Sequence, residues 1–183
     1  MKRVLIPLAQ GCEELEAVTL MDILRRADIE VVAAGLMAGP VTCSRGVVLV
    51  PDATLDAVLE EAFDLIVLPG GLPGTNHLDA DPRIHRLLRK MAQEGGLVGA
   101  ICAAPLVLAN AGLLQGKKAT SYPECMPAEH LPNMDYQEVP VVRDGNVITS
   151  RGPGTAMDFA LTLVELLTDR AKRDEVEGGL MRP

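Results

Sequence analysis

Short apolar runs alternate with helix-like segments along this chain, and that alternation restricts the fold more than any other feature. The runs that predict buried strands are residues 3–9, 29–36, 64–68 and 97–101. The segments with helical character are residues 13–27, 82–94, 103–111 and 156–167. Strands that alternate with helices predict an α/β fold, with a doubly wound, mostly parallel sheet and helices on both faces.

The chain's size and composition agree with this fold. Its 183 residues suit a single domain, and 48% are hydrophobic but only 2% aromatic, so the core must be aliphatic. A formal net charge of −8 argues against a nucleic-acid or anionic-membrane partner. No apolar run has the length of a membrane span. The basic start with its short apolar segment is interpreted as a first strand rather than a signal peptide.

Four cysteines are scattered without CxxC spacing, at Cys12, Cys43, Cys102 and Cys125. We expect free thiols in a reducing cytoplasm rather than a disulfide framework or a metal site. Cys12 is interpreted as structural, because Glu13 beside it disfavours a thiolate. Cys43 and Cys125 are interpreted as packing or solvent-edge residues.

Cys102 stands apart because it lies in residues 96–105, where an apolar strand meets a predicted helix that starts at Ala103. Ligands of open α/β sheets bind at the C-terminal ends of strands, and a helix N-terminus favours a thiolate. The small neighbours fit a sharp turn that presents a nucleophile. The alternative is an inert, buried cysteine that only packs.

The remaining segments give more local predictions. Residues 41–43 and 47–50 predict a small antiparallel excursion, and residues 139–143 and 146–150 predict a hairpin around Asp144-Gly145. Thr54 is expected to cap a short helix over residues 55–62, and residues 118–121 read as a strand. The chain after Thr168 predicts a peripheral helix.

The first predicted helix carries the acidic residue of greatest interest. Its apolar face is predicted to contain Leu15, Val18, Met21 (or Leu20) and Leu24. Glu16 lies beside this face, and the periodicity allows it to be either solvated or turned inward.

Five blocks, taken in their order and spacing, resemble the ThiJ/PfpI superfamily on its DJ-one branch, that of the parkinsonism-associated deglycase. They are residues 11–16, 43–45, 68–71, 100–105 and 149–155. The resemblance covers about residues 2–170. It implies a flavodoxin-like single domain over residues 1–183, of the class I glutamine amidotransferase type, that forms a homodimer and needs no cofactor.

The resemblance also implies roles for individual residues. Cys102 matches the reactive nucleophile, and Glu16 matches the acidic residue that contacts its sulfur. Gly70 and Gly71 match a loop whose backbone amides face the cysteine. Arg26 and Arg45, in turn, match basic residues that approach the neighbouring subunit's pocket.

One position departs from the family pattern. Many relatives have a histidine after the next strand, where this chain has Tyr122. A tyrosine donates and accepts hydrogen bonds, but it is not an imidazole base near neutral pH. The substitution argues against a cysteine–histidine dyad, unless His130 approaches from the following loop.

The function predicted from this pattern is a glyoxalase or deglycase that acts on 2-oxoaldehydes such as methylglyoxal or on their adducts with proteins. Cys102 would attack the aldehyde, the N–H groups of Gly71 and Ala103 would stabilise the oxyanion, and Glu16 would carry the proton, without metal or glutathione. One alternative is a redox sensor or stress-response chaperone whose cysteine oxidises to a sulfinate. An amide or peptide hydrolase is the third reading.

Overall fold

The computed structural model describes residues 1–182. Its strands, in chain order, are β1 (Arg3–Leu8), β2 (Glu30–Gly35), β3 (Val41–Thr42), β4 (Val48–Leu49), β5 (Ala53–Thr54), β6 (Leu65–Leu68), β7 (Leu97–Ile101), β8 (Lys118–Ala119), β9 (Asp135–Tyr136), β10 (Val141–Asp144) and β11 (Val147–Ser150). Its α-helices are α1 (Glu14–Arg26), α2 (Leu55–Val58), α3 (Leu72–Ala80), α4 (Pro82–Gln93), α5 (Pro105–Asn110), α6 (Ala156–Leu167) and α7 (Arg170–Gly179).

A seven-stranded sheet forms the centre, in the order β10-β11-β7-β6-β1-β2-β5. Its strands are parallel except β10, which pairs with β11 in an antiparallel hairpin. In chain order, β2 is added on one side of β1, and β6 and β7 are added later on the other side. A doubly wound sheet binds its ligands where this direction reverses, at the C-terminal ends of the strands. The predicted α/β fold is confirmed.

Each face of the sheet carries its own aliphatic core, as expected for strands buried on both sides. Helices α1, α6 and α7 cover one face, where Phe159 and Leu20 are fully buried. Helices α2 to α5 cover the other face, where Leu88 and Leu108 are fully buried. Within residues 1–182, no helix combines the length and apolarity needed to cross a membrane.

Helix α1 buries a different face from the predicted one. Leu20 and Leu24 are buried as expected, but Leu15 and Val18 are 51% and 43% exposed. Glu16 takes an inward position instead and is completely buried. Periodicity could not identify this face because apolar residues lie on both sides of the helix.

Several local predictions need correction. Helix α3 was not predicted, since Pro73 and Gly74 in its first turn are weak helix formers. Helix α5 begins at Pro105 rather than at Ala103. The segment after it contributes only β8, which pairs with β9 in a separate parallel ladder. The predicted hairpin of β10 and β11 and the antiparallel pair of β3 and β4 are confirmed.

Candidate active site

Cys102 occupies a sharp backbone turn directly after β7. Its φ of 65° lies in the left-handed region, which is uncommon for a residue other than glycine and marks local strain. The turn is fixed because the Cys102 N–H donates to the Ser150 carbonyl at 3.0 Å and the Ala104 N–H donates to Ile101 at 3.1 Å. The side chain is therefore held at the edge of the sheet, where residue Cys102 is 9% exposed.

Glu16 reaches the same point from the first turn of α1. The Glu13 carboxylate caps this helix by accepting the Glu16 N–H at 2.7 Å, which sets where the helix starts. Oε2 of Glu16 accepts the Gly70 N–H at 2.8 Å. Oε1 is buried and has no hydrogen-bond partner among residues 1–182. One oxygen of this carboxyl group therefore keeps its capacity to accept a hydrogen bond unused within the described residues.

Gly70 and Gly71 allow the backbone to approach both groups. A Cβ at Gly70 would lie 2.6 Å from Cβ of Cys102 and 2.7 Å from Oε2 of Glu16, so no larger residue fits there. Gly71 has a φ of 85°, and a Cβ there would lie 2.5 Å from the Gly11 carbonyl oxygen. The loop after β6 is therefore packed against the loop before α1, with no room for a side chain.

The acid and the thiol share one local environment. Burial raises the pKa of Glu16 to about 7, although the Gly70 N–H opposes this rise. Burial and the negative charge of Glu16 raise the pKa of Cys102 to about 12, while the backbone N–H groups of Gly71 and Ala103 lower it. The pair consequently holds one proton between them above neutral pH.

This raised thiol pKa differs from the low value expected of Cys102 from its sequence context. Because α5 begins only at Pro105, three residues on, the cysteine does not lie at the first turn of a helix. Two backbone N–H groups alone do not offset burial and an adjacent carboxylate. Transfer of the Cys102 proton to Glu16 favours the thiolate, because it removes the negative charge that raises the pKa of the thiol.

A cavity of about 420 Å³ opens over the sulfur. The residues that line it are Glu13, Ser44, Arg45, Gly71, Leu72, Pro73, Cys102, Ala103, Tyr122, Cys125 and Pro153. Among the predicted site residues, it brings together Cys102, Gly71, Ala103, Arg45 and Tyr122. Gly70 is adjacent, but its N–H is used by Glu16 and so does not face the sulfur as the resemblance implied.

Two predicted residues lie elsewhere. Arg26 is at the far end of α1 from Glu16 and pairs with Asp22 at 2.8 Å. His130 lines a separate cavity beside Gly112 and Asn133 and does not approach Cys102. Within one chain the cavity therefore has no imidazole in its lining, and the suggested approach of Arg26 to a neighbouring subunit stays a prediction.

Sequence reasoning missed the acidic residue that shapes the cavity rim. Glu14 was not singled out from the sequence, but it is buried, and its carboxylate accepts the Ser44 Oγ–H at 3.0 Å and the Arg45 N–H at 2.8 Å. It thereby fixes the loop between β3 and β4 against α1. An acidic residue at the start of a helix gave no signal of this role, because its partners lie some 30 residues away in sequence.

Cys125, interpreted as a packing or solvent-edge residue, is partly buried and forms part of the cavity wall. Within residues 1–182, no group of three or more His, Cys, Asp and Glu side chains is placed to hold a metal ion. The chemistry of the cavity therefore has to come from its thiol, its buried acid and its backbone N–H groups.

Comparisons with known proteins agree with this architecture. The model of the DJ-1/PfpI family matches residues 2–166. Protein dj-1beta of Drosophila melanogaster is 48% identical over 182 residues, which span 98% of this chain and 97% of the relative. The crystal structure of Drosophila melanogaster DJ-1beta superposes with a TM-score of 0.95 at 46% identity and covers 100% of this chain and 98% of that one.

A further relative carries a functional name. The glutathione-independent glyoxalase DJR-1.2 of Caenorhabditis elegans is 38% identical over 173 residues, which span 94% of this chain and 91% of the relative. The family model covers nearly the whole chain, and both curated relatives align along almost their full length. This chain belongs to the DJ-1/PfpI family.

Proposed function

We propose that this protein is a glutathione-independent glyoxalase that converts 2-oxoaldehydes such as methylglyoxal into 2-hydroxy acids, and that it acts on their adducts with proteins by the same chemistry. The observation that carries the proposal is the closeness of a buried acid to a strained cysteine that lines an open cavity: Oε2 of Glu16 and Cβ of Cys102 both lie within 2.7 Å of the point where a Cβ at Gly70 would stand. The glyoxalase name of a relative that is 38% identical supports the same reaction class.

The first step forms a carbon–sulfur bond. Cys102 attacks the aldehyde carbon, while its thiol proton passes to the adjacent Glu16 carboxylate. The electron pair of the carbonyl bond moves to oxygen, and the N–H groups of Gly71 and Ala103, which lie near the sulfur, stabilise that charge. Protonation of the oxyanion gives a hemithioacetal.

The second step moves a proton from C1 to C2 of the bound substrate. Glu16, ionised again after giving its proton to the oxyanion, removes the C1 proton to form an enediol and returns it to C2. The hydroxyl proton on the C1 oxygen passes to the C2 oxygen, so that the hemithioacetal becomes a 2-hydroxy thioester. Its free Oε1 is the atom suited to this transfer, because Oε2 stays occupied by Gly70. Water then hydrolyses the thioester to release the 2-hydroxy acid and restore the Cys102 thiol.

The cavity wall provides the remaining contacts. Arg45 supplies a cation at the rim, and Tyr122 supplies a phenol whose ring packs on Gly152. Neither is an imidazole, and the Glu13 carboxylate in the lining caps α1 by accepting the Glu16 N–H, so we assign both proton transfers to Glu16. This arrangement favours aldehyde isomerisation over amide hydrolysis, in which a protonated imidazole commonly assists the leaving amine.

The test is the formation of lactate from methylglyoxal without glutathione, measured for the wild type, Cys102→Ser and Glu16→Ala. We expect turnover to fall about 1,000-fold or more in both variants, since each removes a group that forms or breaks a bond. Cys125→Ser is the matched control, because it removes a thiol from the same cavity and should retain nearly full activity. Near-normal turnover by Cys102→Ser would show that the mechanism is wrong.

A second candidate function uses the same atoms. If peroxide oxidises Cys102 to a sulfinate, protonated Glu16 can donate a hydrogen bond from its unpaired oxygen to the new anion. The protein would then be a redox sensor or stress-response chaperone. Selective gain of two oxygens at Cys102 under mild peroxide, together with absence of lactate formation, would favour this function.

We further propose a homodimer that uses the exposed face of α1. Leu15 and Val18 are exposed there, and Val48 and Val50, which are 56% and 83% exposed, follow the loop that Glu14 holds against α1. Exposed apolar side chains of this kind mark interaction surfaces. Val18→Glu should shift the mass measured by sedimentation toward that of a single chain, whereas Val139→Glu should leave it unchanged.

The cytoplasmic location expected from the free cysteines stays a prediction.

A further inference from the structure

A second pair of thiols lies just behind the cavity wall. The Sγ atoms of Cys12 and Cys43 are 3.5 Å apart, although 31 positions separate the residues in sequence. Both residues are buried, with 0% and 5% exposure. A disulfide requires an S–S distance of about 2.05 Å, so the two sulfur atoms would have to approach by only about 1.5 Å.

The backbone on either side already holds these cysteines together. The Gly11 N–H donates to the Thr42 carbonyl at 2.8 Å, and the Ser44 N–H donates to the Cys12 carbonyl at 2.8 Å. These bonds flank the pair on both segments, so the close approach is a feature of the backbone. Joining the sulfur atoms then requires a further approach of about 1.5 Å between two side chains whose segments are already hydrogen-bonded to each other.

We propose that Cys12 and Cys43 form a reversible intramolecular disulfide when the protein is exposed to a peroxide. The Cys43 thiolate attacks the peroxide oxygen, which breaks the O–O bond and gives a sulfenic acid and one water or alcohol. The Cys12 sulfur then attacks the sulfenic sulfur and expels water. Two thiols are oxidised, one peroxide is reduced, and no other reactant is needed.

The order of these two steps follows from the surroundings of each thiol. Cys43 retains slight exposure, whereas Cys12 has none. Burial raises the pKa of both thiols, but the hydrogen bond from Cys12 opposes that rise at Cys43. Cys43 is thus the thiol that a small oxidant reaches first, and Cys12 is placed to resolve its sulfenic acid.

The disulfide would act on the cavity through its immediate neighbours. Glu13 follows Cys12, while Ser44 and Arg45 follow Cys43, and all three line the cavity over Cys102. A covalent link between the two segments fixes this part of the wall. The proposal does not depend on aldehyde turnover, because neither thiol belongs to the reacting pair.

The experiment treats the wild type and Cys102→Ser with hydrogen peroxide, then unfolds the protein in the presence of a maleimide and maps the peptides by mass. We expect a linked peptide containing Cys12 and Cys43, lighter by about 2 Da than the two reduced peptides and restored by dithiothreitol. Cys102→Ser should form it as readily as the wild type, which separates this result from a failure of the glyoxalase proposal.

Three further variants complete the test. Cys12→Ser and Cys43→Ser should lose the linked peptide, while Cys125→Ser should keep it. The proposal is overturned if Cys12 and Cys43 both remain fully alkylated at a peroxide dose that converts Cys102 to its sulfinate. It is equally overturned if the linked peptides join Cys12 or Cys43 to Cys125 rather than to each other.

Discussion

Glu14 and Glu16 lie two positions apart in the first turn of α1, and both are buried, yet their carboxylates have opposite environments. Glu14 accepts hydrogen bonds from Ser44 Oγ at 3.0 Å and from the backbone N–H groups of Arg45 at 2.8 Å and Val47 at 3.4 Å. Glu16 accepts one, from Gly70, and its other oxygen has no partner in residues 1–182. Both carboxylate oxygens of Glu14 therefore accept hydrogen bonds, whereas one oxygen of Glu16 accepts none.

The pKa values follow the number of donors. Burial alone would raise the pKa of Glu14, but hydrogen bonds from the backbone and from Ser44 outweigh it and hold that pKa below its ordinary value. At Glu16 burial dominates and raises the pKa to about 7. The difference teaches that burial does not by itself make a reactive acid; a shortage of donors around the buried carboxylate does.

The largest effect expected from this contrast is on catalysis. Glu16→Gln keeps an oxygen to accept the Gly70 N–H but cannot carry a proton, so kcat/KM for methylglyoxal should fall about 1,000-fold, or roughly 4 kcal/mol. Glu14→Gln changes the same atoms two residues away and should cost less than about fivefold, since Glu14 does not touch the reacting groups. Lactate formation measured for both variants checks this difference.

Equal losses in the two variants would break the comparison. They would mean that Glu16 acts, like Glu14, only through the arrangement of the loops around it. Labelling of Cys102 by iodoacetamide in each variant would then show whether the thiol had lost its reactivity or only its access.

The next effect is on stability and has the opposite sign. Since the folded pKa of Glu16 is raised, its contribution is fully present below its ordinary pKa of 4.5 and is lost as the pH rises through about 7. Glu16→Gln removes that loss, so its stability relative to the wild type should improve by about 2 kcal/mol between about pH 5 and pH 8. Urea unfolding at both pH values checks this, and a constant difference would contradict a raised pKa in the folded state.

Replacing Glu14 should have a smaller effect on stability, and it should destabilise the protein. In Glu14→Gln a single, uncharged oxygen remains to accept hydrogen bonds from Ser44, Arg45 and Val47. The free energy of unfolding in urea should therefore fall by about 1–2 kcal/mol. Because the pKa of Glu14 is lowered, its stabilisation is present above the ordinary pKa and disappears as the pH falls below it. A loss that persisted unchanged in strongly acidic urea titrations would show that packing, not charge, explains it.

The same two residues show how far sequence reasoning reached. The alternation of apolar runs and helices predicted the sheet and its layers, and the small residues around Cys102 predicted the sharp turn, because these features depend on local sequence. The hydrogen bonding and the pKa of Glu14 and Glu16 depend on donors from Gly70 and the β3–β4 loop, which are distant in sequence. Periodicity carries no information about such partners, so Glu16 stayed undecided and Glu14 was missed.

The exposed residues of α1 give a related lesson. Leu15 and Val18 were assigned to the core because they are apolar and helically spaced. The residues of α1 that are buried in the core are instead Ala17, Leu20 and Ile23. A helix with apolar residues on two sides leaves the choice to tertiary packing. Small residues such as Ala17 then let the helix lie close to α6, while the larger ones remain on the surface.

The smallest predicted effect is the pH dependence of turnover. The productive free enzyme carries one proton on the Glu16–Cys102 pair, whichever group holds it, so kcat/KM should rise with pH through about 7. We expect about a tenfold increase from about pH 6 to pH 8 in initial rates of lactate formation, with a plateau above. Because Glu16→Gln has no acid to titrate, its residual rate should show no plateau above pH 7 and should keep rising with pH, as the Cys102 thiol itself ionises. A flat profile in the wild type would assign the proton transfer to a group other than the buried acid that distinguishes Glu16 from Glu14.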